Sequence, residues 1–380
     1  MKSMEESRSA KLIQANLRWL KEKVFPKWTA IGLHKESGLF VESLTFEDVP
    51  FQGPHRAMVQ ARQIYSFSEA CRMELLDTTR ARETVKKATD AFLKYYLQPN
   101  GSVIHSIDLS GKPVSQEVDL YTQAFALFAL SYAYQLCAEP RYKEAALKTL
   151  KYLKTERQNP AGGYTEIKNS QTLYQSNPHM HLFESMIAWS AVDSDSNWKE
   201  EAAAIYNLCQ DKFIQKEGLL AEHFQPDWKP QLENNRFLFE PGHHYEWCWL
   251  FHQYKKYCES RASVEVATTL FDNAEKEGLS ADGRLVYDEI WSDGNVKKKS
   301  SRFWPQSERI KAAVMMNKGA IADQALETLM DKFLLIDQGL WRDTLKEDGS
   351  YADVPAKASS LYHILNAISE YVKYRPRIGE

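Results

Sequence analysis

Along most of this chain the apolar positions recur at helical spacing, and the stretches that carry them are of two alternating kinds. In TRARETVKKATDAFLKYYL, residues 79–97, Val85, Ala88, Phe92 and Tyr96 line one side while charges fill the other. That is the pattern of a helix with one buried face. Segments 9–25, 140–156, 197–213, 262–277 and 318–334 repeat it. Between them lie segments apolar on most sides: DLYTQAFALFALSYAYQLC at 119–137, HMHLFESMIAWSAV at 179–192 and GHHYEWCWLFHQYKKYC at 242–258, with 55–76, 305–316 and 357–374 as milder members. A helix that is apolar all round needs cover on every side. The pattern predicts six outer and six inner helices in strict alternation.

Polar or aromatic interruptions fall near the starts of the inner helices. Arg62, Tyr121, His181, His243, Gln306 and His363 recur at intervals of roughly 60 residues, the length of one helical hairpin with its loops. Six hairpins close into a ring, so the expected fold is all-α, an (α/α)6 barrel formed by residues 1–380 as one domain. Inner-to-outer connections are short, as around Asp77 and Asp193, whereas 98–118, 157–178, 214–241, 278–304 and 335–356 are long. One of the long loops, SVIHSIDLSGKPV, reads as a small β-hairpin. The long loops lead into the inner helices at their N-terminal ends. Loops and polar residues therefore share one rim, and a pocket is expected there.

Composition narrows the function more than the fold. With 380 residues, 43% of them hydrophobic, the chain has ample core, and a net charge of -3 gives no reason to expect nucleic acid. No run of 18 apolar residues suggests a membrane span. Cys71, Cys137, Cys209, Cys248 and Cys258 form an odd set without a Cys-x-x-Cys pair, which fits reduced thiols and a cytoplasmic location. Glycine-rich phosphate loops and a Gly-x-Ser-x-Gly elbow are both absent. Lys297, Lys298 and Lys299 read as a solvated loop tip.

The candidate chemistry sits at the inner-helix starts. His243 and Glu246, in PGHHYEWCWL, lie three residues apart, about 300° on a helix, and so point to nearly the same side. His244 diverges by about 100° and reads as a neighbour. His179, His181 and Glu184, in NPHMHLFE, invite a metal reading, but on a helix the two histidines point about 200° apart. No metal and no cofactor are expected, with His181 facing inward and His179 placed at the helix start. His363 interrupts the apolar ASSLYHILNAI, and Arg62 sits among apolar positions where an unpaired charge is costly. It needs a carboxylate or a ligand oxygen. Trp304, Gln306 and Glu308 follow one another in FWPQSERIKA. Trp304 and Trp341, with Trp247, offer flat faces suited to sugar rings, whereas Trp249 reads as core packing. A carboxylate pair for glycoside cleavage is conceivable from Glu246, Glu308, Asp119 and Glu184, but three rim histidines fit proton transfer better.

QARQIY, NPHMHLFES, PGHHYEWCWL and FWPQSERIKA resemble signatures of the N-acylglucosamine 2-epimerase superfamily, which includes N-acylglucosamine and cellobiose 2-epimerases and cofactor-independent mannose isomerases. The resemblance runs from LRWLKEKVFPKW to SSLYH, nearly the whole chain. It implies an (α/α)6 barrel in which His243 and His363 are an acid–base pair and His181 a third imidazole. It further implies that Glu246 orients or assists His243 and that Arg62 holds sugar oxygens. Tyr121, Asn177, Trp304, Gln306, Glu308 and Trp341 are expected to line the substrate. QARQIYSFSEA and SSLYH resemble the mannose isomerase branch, so the implied reaction interconverts free D-mannose and D-fructose through ring opening and a cis-enediolate. A sugar 2-epimerase is the alternative, and a carbohydrate-binding barrel without chemistry a third reading. The expected partner is a monosaccharide, with a homodimer left open.

Overall fold

The computed structural model describes residues 2–378, and side chains from Arg8 onward. Helices α1 (Lys2–Trp19) and α2 (Phe25–Ile31) are joined by a π-turn at Leu20–Val24. They are followed by α3 (Ala57–Arg72), α4 (Thr78–Tyr95), α5 (Leu120–Cys137), α6 (Pro140–Glu156), α7 (Ser176–Val192) and α8 (Ser196–Leu208). The remainder are α9 (Pro241–Tyr257), α10 (Glu265–Glu277), α11 (Phe303–Met315), α12 (Gly319–Lys332) and α13 (Leu361–Tyr374). The odd-numbered helices from α3 to α13 pack neighbour on neighbour, and α13 returns to α3. Outside them α4, α6, α8, α10 and α12 each cover the inner helix before them, and α1 lies against α12 and α13. The fold is an all-α barrel of six inner and six outer helical positions, as the alternation predicts.

Helix limits follow local chemistry. Asp77 accepts from Arg80 N at 3.0 Å and Asp119 from Thr122 N at 2.7 Å, satisfying N–H groups that have no partner inside α4 and α5. The segment expected as one helix at 9–25 instead divides. Phe25 N reaches back to Leu20 O, because Pro26 has no N–H and disrupts the α-helical ladder beside it. A second π-turn, Cys209–Phe213, ends the outer helix expected at 197–213.

The long loops form short antiparallel hairpins at the rim, including Ser106–Ile107 with Pro113–Ser115, as SVIHSIDLSGKPV suggests. Ser43–Leu44 pairs with Ala356–Lys357 and joins the first loop to the last. A buried polar side chain in the first turns of most inner helices holds the hairpin beneath it. Gln60 grips both backbone groups of Phe40, and Gln123 grips both of Val103 at 2.8 Å. His179 Nε2 accepts from Tyr164 N and His244 Nε2 from Leu220 N. Gln306, with its amide oriented to satisfy both groups, accepts from Val286 N at 2.6 Å and donates to Arg284 O at 3.2 Å. Of the six residues in the polar rhythm read from the sequence, Gln306 belongs to this clamp, and the other clamp residues lie one or two positions beside that rhythm. Gln123→Ala would leave a buried N–H and C=O of Val103 without their side-chain partner. It should lower stability by about 3 kcal/mol, read as a lower urea midpoint at unchanged m-value.

A second set of contacts fixes the helix starts. Glu42–Arg56, His105–Asp119, Asp288–Arg302 and Asp343–Lys357 are polar pairs, each 14 residues apart. Each ties a loop residue to the residue just before an inner helix or, for Lys357, just before the 3-10 turn Ala358–Ser360 that leads into α13. No helix among the described residues is long and apolar enough to cross a membrane.

Candidate active site

Eight of the eleven residues nominated from sequence meet in one pocket of about 230 Å³ at the loop rim: Arg62, Tyr121, Asn177, His181, His243, Glu246, Trp304 and His363. Each is delivered by the start of an inner helix, where the hairpins leave an opening. Three nominated residues lie elsewhere. Gln306 is fully buried and spent on the clamp. Trp341 stacks on Trp28 at 5.1 Å and donates to Lys357 O, so its ring is part of the core. Glu308 stands behind the pocket and touches His363 rather than its interior.

The two histidines of the expected acid–base pair are built alike and charged differently. His243 Nδ1 lies 2.9 Å from Glu222 Oε2, and His363 Nδ1 lies 2.8 Å from Glu308 Oε1. In each case a buried carboxylate fixes the ring and leaves Nε2 for the pocket. Trp304 contacts both imidazoles, with centroids 5.0 Å from His243 and 5.8 Å from His363. Gly242 permits that placement, since a Cβ there would come within 2.5 Å of Trp304 Cη2. Burial disfavours the charged form of His243, but Glu222 and Glu240 outweigh it and push its pKa up to about 9. Around His363 burial acts with Arg62, Lys311 and His181, and the pKa falls well below the ordinary value. At neutral pH one ring is a proton donor and the other an acceptor.

This corrects the orienting role expected of Glu246, which still adds to the rise in the His243 pKa. Glu222, on the loop before α9, is the carboxylate that holds the ring, and it also accepts from Glu240 N and Ser176 Oγ. Glu246 is separate. It is 1% exposed and its Oε1 has no hydrogen-bond partner among the described residues. Burial, together with Glu308 and Glu184, raises its pKa well above the carboxylate range. Burial thus favours its protonated form, which can donate into the pocket. His181 bonds Glu184 at 3.2 Å, Tyr362 donates to the same carboxylate, and burial drops the His181 pKa to about 4.

Arg62 is buried with no carboxylate within ion-pair distance among the described residues. It donates to Tyr121 Oη at 2.5 Å and lies 4.2 Å from the Phe125 ring centroid, while its Nε has no partner. Such a guanidinium is set to receive ligand oxygens. The pocket's other cations are occupied: Arg302 by Asp288 and Glu240, Lys357 by Asp343.

Among the described residues two groups gather three ligand atoms within 4.8 Å, His181–Glu184–Glu246 and Glu222–Glu240–His243. In both, the histidine Nδ1 already faces a carboxylate partner. His179 belongs to neither, since both its nitrogens hold the loop, one on Gln175 O and one on Tyr164 N. A cavity at the opposite end of the barrel reaches Glu184 from below. Its carboxylates are engaged, Glu69 by Arg72 and Ser369, Glu370 by Trp249 and Gln253.

Known proteins share this arrangement of chain. A mannose-6-phosphate isomerase of Rhizobium meliloti (strain 1021) is 33% identical over 367 residues, covering 93% of this chain and 94% of its own length. A D-mannose isomerase of Marinomonas mediterranea is 27% identical over 224 residues, covering 52% of this chain and 55% of its own. The structure of cellobiose 2-epimerase from Spirochaeta thermophila DSM 6192 superimposes with a TM-score of 0.86 at 19% identity, over 98% of each chain, and so shares the fold. Residues 38–367 match the N-acylglucosamine 2-epimerase (GlcNAc 2-epimerase) family, and with a relative of that identity over nearly its full length, the chain belongs to this family of sugar isomerases and epimerases.

Proposed function

We propose that the protein is a cofactor-independent aldose–ketose isomerase that interconverts free D-mannose and D-fructose. The observation that carries the chemistry is the pair of carboxylate-held imidazoles, His243 and His363, at one pocket, with surroundings that push the pKa of the first up and of the second down. The relatives named as mannose and mannose-6-phosphate isomerases support the sugar.

The closed sugar first opens: protonated His243 gives a proton to the ring oxygen as unprotonated His363 takes the O1 proton, and exchange with solvent returns both rings to their starting states. The C2 proton, acidified by the new C1 aldehyde, passes to Nε2 of His363. The resulting enediolate spreads charge over O1 and O2, where Arg62 and the neutral acid Glu246 supply donors in a water-poor setting. His363 then returns the proton to C1 of the cis-enediolate, while the carboxyl of Glu246 gives its proton to O1 and takes the proton of O2, and the product is the ketose. Asn177 and Tyr121 hold the remaining hydroxyls, and Trp304 offers its face to the ring.

A free sugar suits the pocket better than a phosphate ester. Arg302 and Lys357 are already neutralised, and Glu240 and Asp343 also line the cavity, so a dianion meets few unsatisfied donors. Mannose should exceed mannose 6-phosphate in kcat/KM by at least about tenfold. Five free thiols support a cytoplasmic setting.

The second reading, a sugar 2-epimerase, is favoured by that same acid and base, because inversion needs a proton source on each face of C2. Turnover of mannose in heavy water followed by NMR separates the two. Fructose with deuterium at C1 supports the isomerase, and glucose with deuterium at C2 the epimerase. Absence of exchange with any sugar would overturn both.

A further inference from the structure

Lys311 has no place in the chemistry described so far. It lies on α11 one turn beyond Glu308, wholly buried in the barrel, with Nζ 2.6 Å from Glu308 Oε2 and 3.9 Å from the Trp249 ring centroid. The other oxygen of that carboxylate holds His363 Nδ1 at 2.8 Å. Ammonium, carboxylate and imidazole therefore form one chain that leads from the barrel interior to the pocket. A buried lysine is costly in a core, and this one meets its carboxylate directly behind the ring that borders the sugar.

We propose that Lys311 is a positioning residue that keeps Glu308 ionised and thereby fixes His363 as the Nδ1–H tautomer, with a bare Nε2 facing the sugar. The inference rests on the reading of His363 as the base. Its reason lies in what Glu308 would do alone. An ionised carboxylate only accepts, so Nδ1 must carry the hydrogen. A protonated Glu308 can donate to Nδ1 instead, and the ring proton then moves to Nε2, where it blocks abstraction from C2.

The surroundings make that alternative real. Glu308 is wholly buried and faces His181 from α7, His243 and Glu246 from α9, and Tyr362 and His363 from α13. Burial raises its pKa, and Lys311 is the foremost group pulling it back. Lys311 itself stays charged despite its burial because the Glu308 carboxylate lies directly against it. The same ammonium lowers the pKa of His363, so both of its effects keep Nε2 free of a proton.

The test is K311M, nearly isosteric and uncharged, with K311R as the conservative variant. K311M should lower kcat about 100-fold with KM within a few-fold, move the acid limb of the kcat/KM profile to higher pH, and be partly rescued by K311R. Nitrogen NMR of 15N-histidine protein reads the tautomer without turnover: His363 should carry its proton on Nδ1 in the native protein and on Nε2 in K311M. An unchanged tautomer or an unmoved acid limb in K311M overturns the proposal. A changed tautomer with little loss of turnover leaves the positioning intact and sinks His363 as the base. Should K311M fail to fold, E308Q and E308Q/K311M, which carry a neutral amide in place of the pair's carboxylate, supply the comparison. Removal of Lys311 in that background should change kcat less than twofold, and a further 100-fold loss would show that Lys311 does not act through Glu308.

Discussion

His363→Ala is expected to abolish turnover, lowering kcat by about 10³-fold or more, the scale of losing a general base that also returns the proton. The loss should fall on kcat rather than on sugar affinity. His363 meets the reacting carbon, whereas the hydroxyls are held by Arg62, Tyr121 and Asn177. Binding of a sugar alcohol, which cannot form the enediolate, should stay within a few-fold of native. His243→Ala should be comparably damaging for a different reason: the base survives, but ring opening loses its acid. The two variants separate in rescue. The space left at position 363 opens onto the pocket, so millimolar imidazole should restore part of the activity of His363→Ala. At position 243 the vacancy also leaves Glu222 and Glu240 without the charge between them, and their buried repulsion should cost stability. Retained turnover in either folded variant would break the mechanism.

The architecture is plain in the sequence because helix burial leaves a direct trace in residue type. Segments such as 119–137 are apolar all round because five other inner helices and an outer layer exclude water from them, and α5 spans Leu120–Cys137 as that pattern implies. The rim is equally readable, since polar residues can sit in an apolar helix only where it meets loops. What the rhythm could not do was separate two jobs that share one helix turn. Gln306 and Glu308 are two residues apart, about 200° around the helix. One therefore faces the hairpin and the other the barrel centre. The same division splits His179 from His181 and His244 from Glu246, and only the first members grip backbone. The acidic partner of His243 was out of reach for another reason. Glu222 lies 21 residues earlier on a loop, and it is brought to the ring by backbone bonds to Leu238 and Ser176 that no local pattern announces. A sequence signal did exist for the entrance pairs: the 14-residue interval from Glu42 to Arg56 recurs from Asp288 to Arg302 and from Asp343 to Lys357.

Glu222→Gln should expose how the site makes an acid out of one of two similar imidazoles. In the native protein kcat/KM requires His363 without its proton and His243 with one. The acid limb then lies well below the ordinary histidine value, and the basic limb near the His243 pKa of about 9. The plateau spans neutrality because the two values are pushed apart, His243 upward by carboxylates and His363 downward by burial and cations. The amide in Glu222→Gln keeps the shape and can still accept from Nδ1, but it withdraws the nearest negative charge. Burial, which disfavours the imidazolium, is then opposed only by Glu240 and the more distant acids. The basic limb should therefore move down toward or below neutral pH while the acid limb stays in place. At pH 7.5 turnover should fall by about 10³-fold, since the ring loses both its proton and a firmly held orientation. Part of that loss should return as the assay pH is lowered, because acidification re-protonates His243 before it reaches the low pKa of His363. Stability follows the same sign. A histidine with a raised folded-state pKa stabilises fully below its unfolded value and loses that contribution as pH rises through the folded one. The native protein should then lose stability between about pH 6.5 and 9 relative to Glu222→Gln. A basic limb unmoved by the substitution would mean that Glu222 does not set the charge of His243, and that the acid of the reaction lies elsewhere in the pocket.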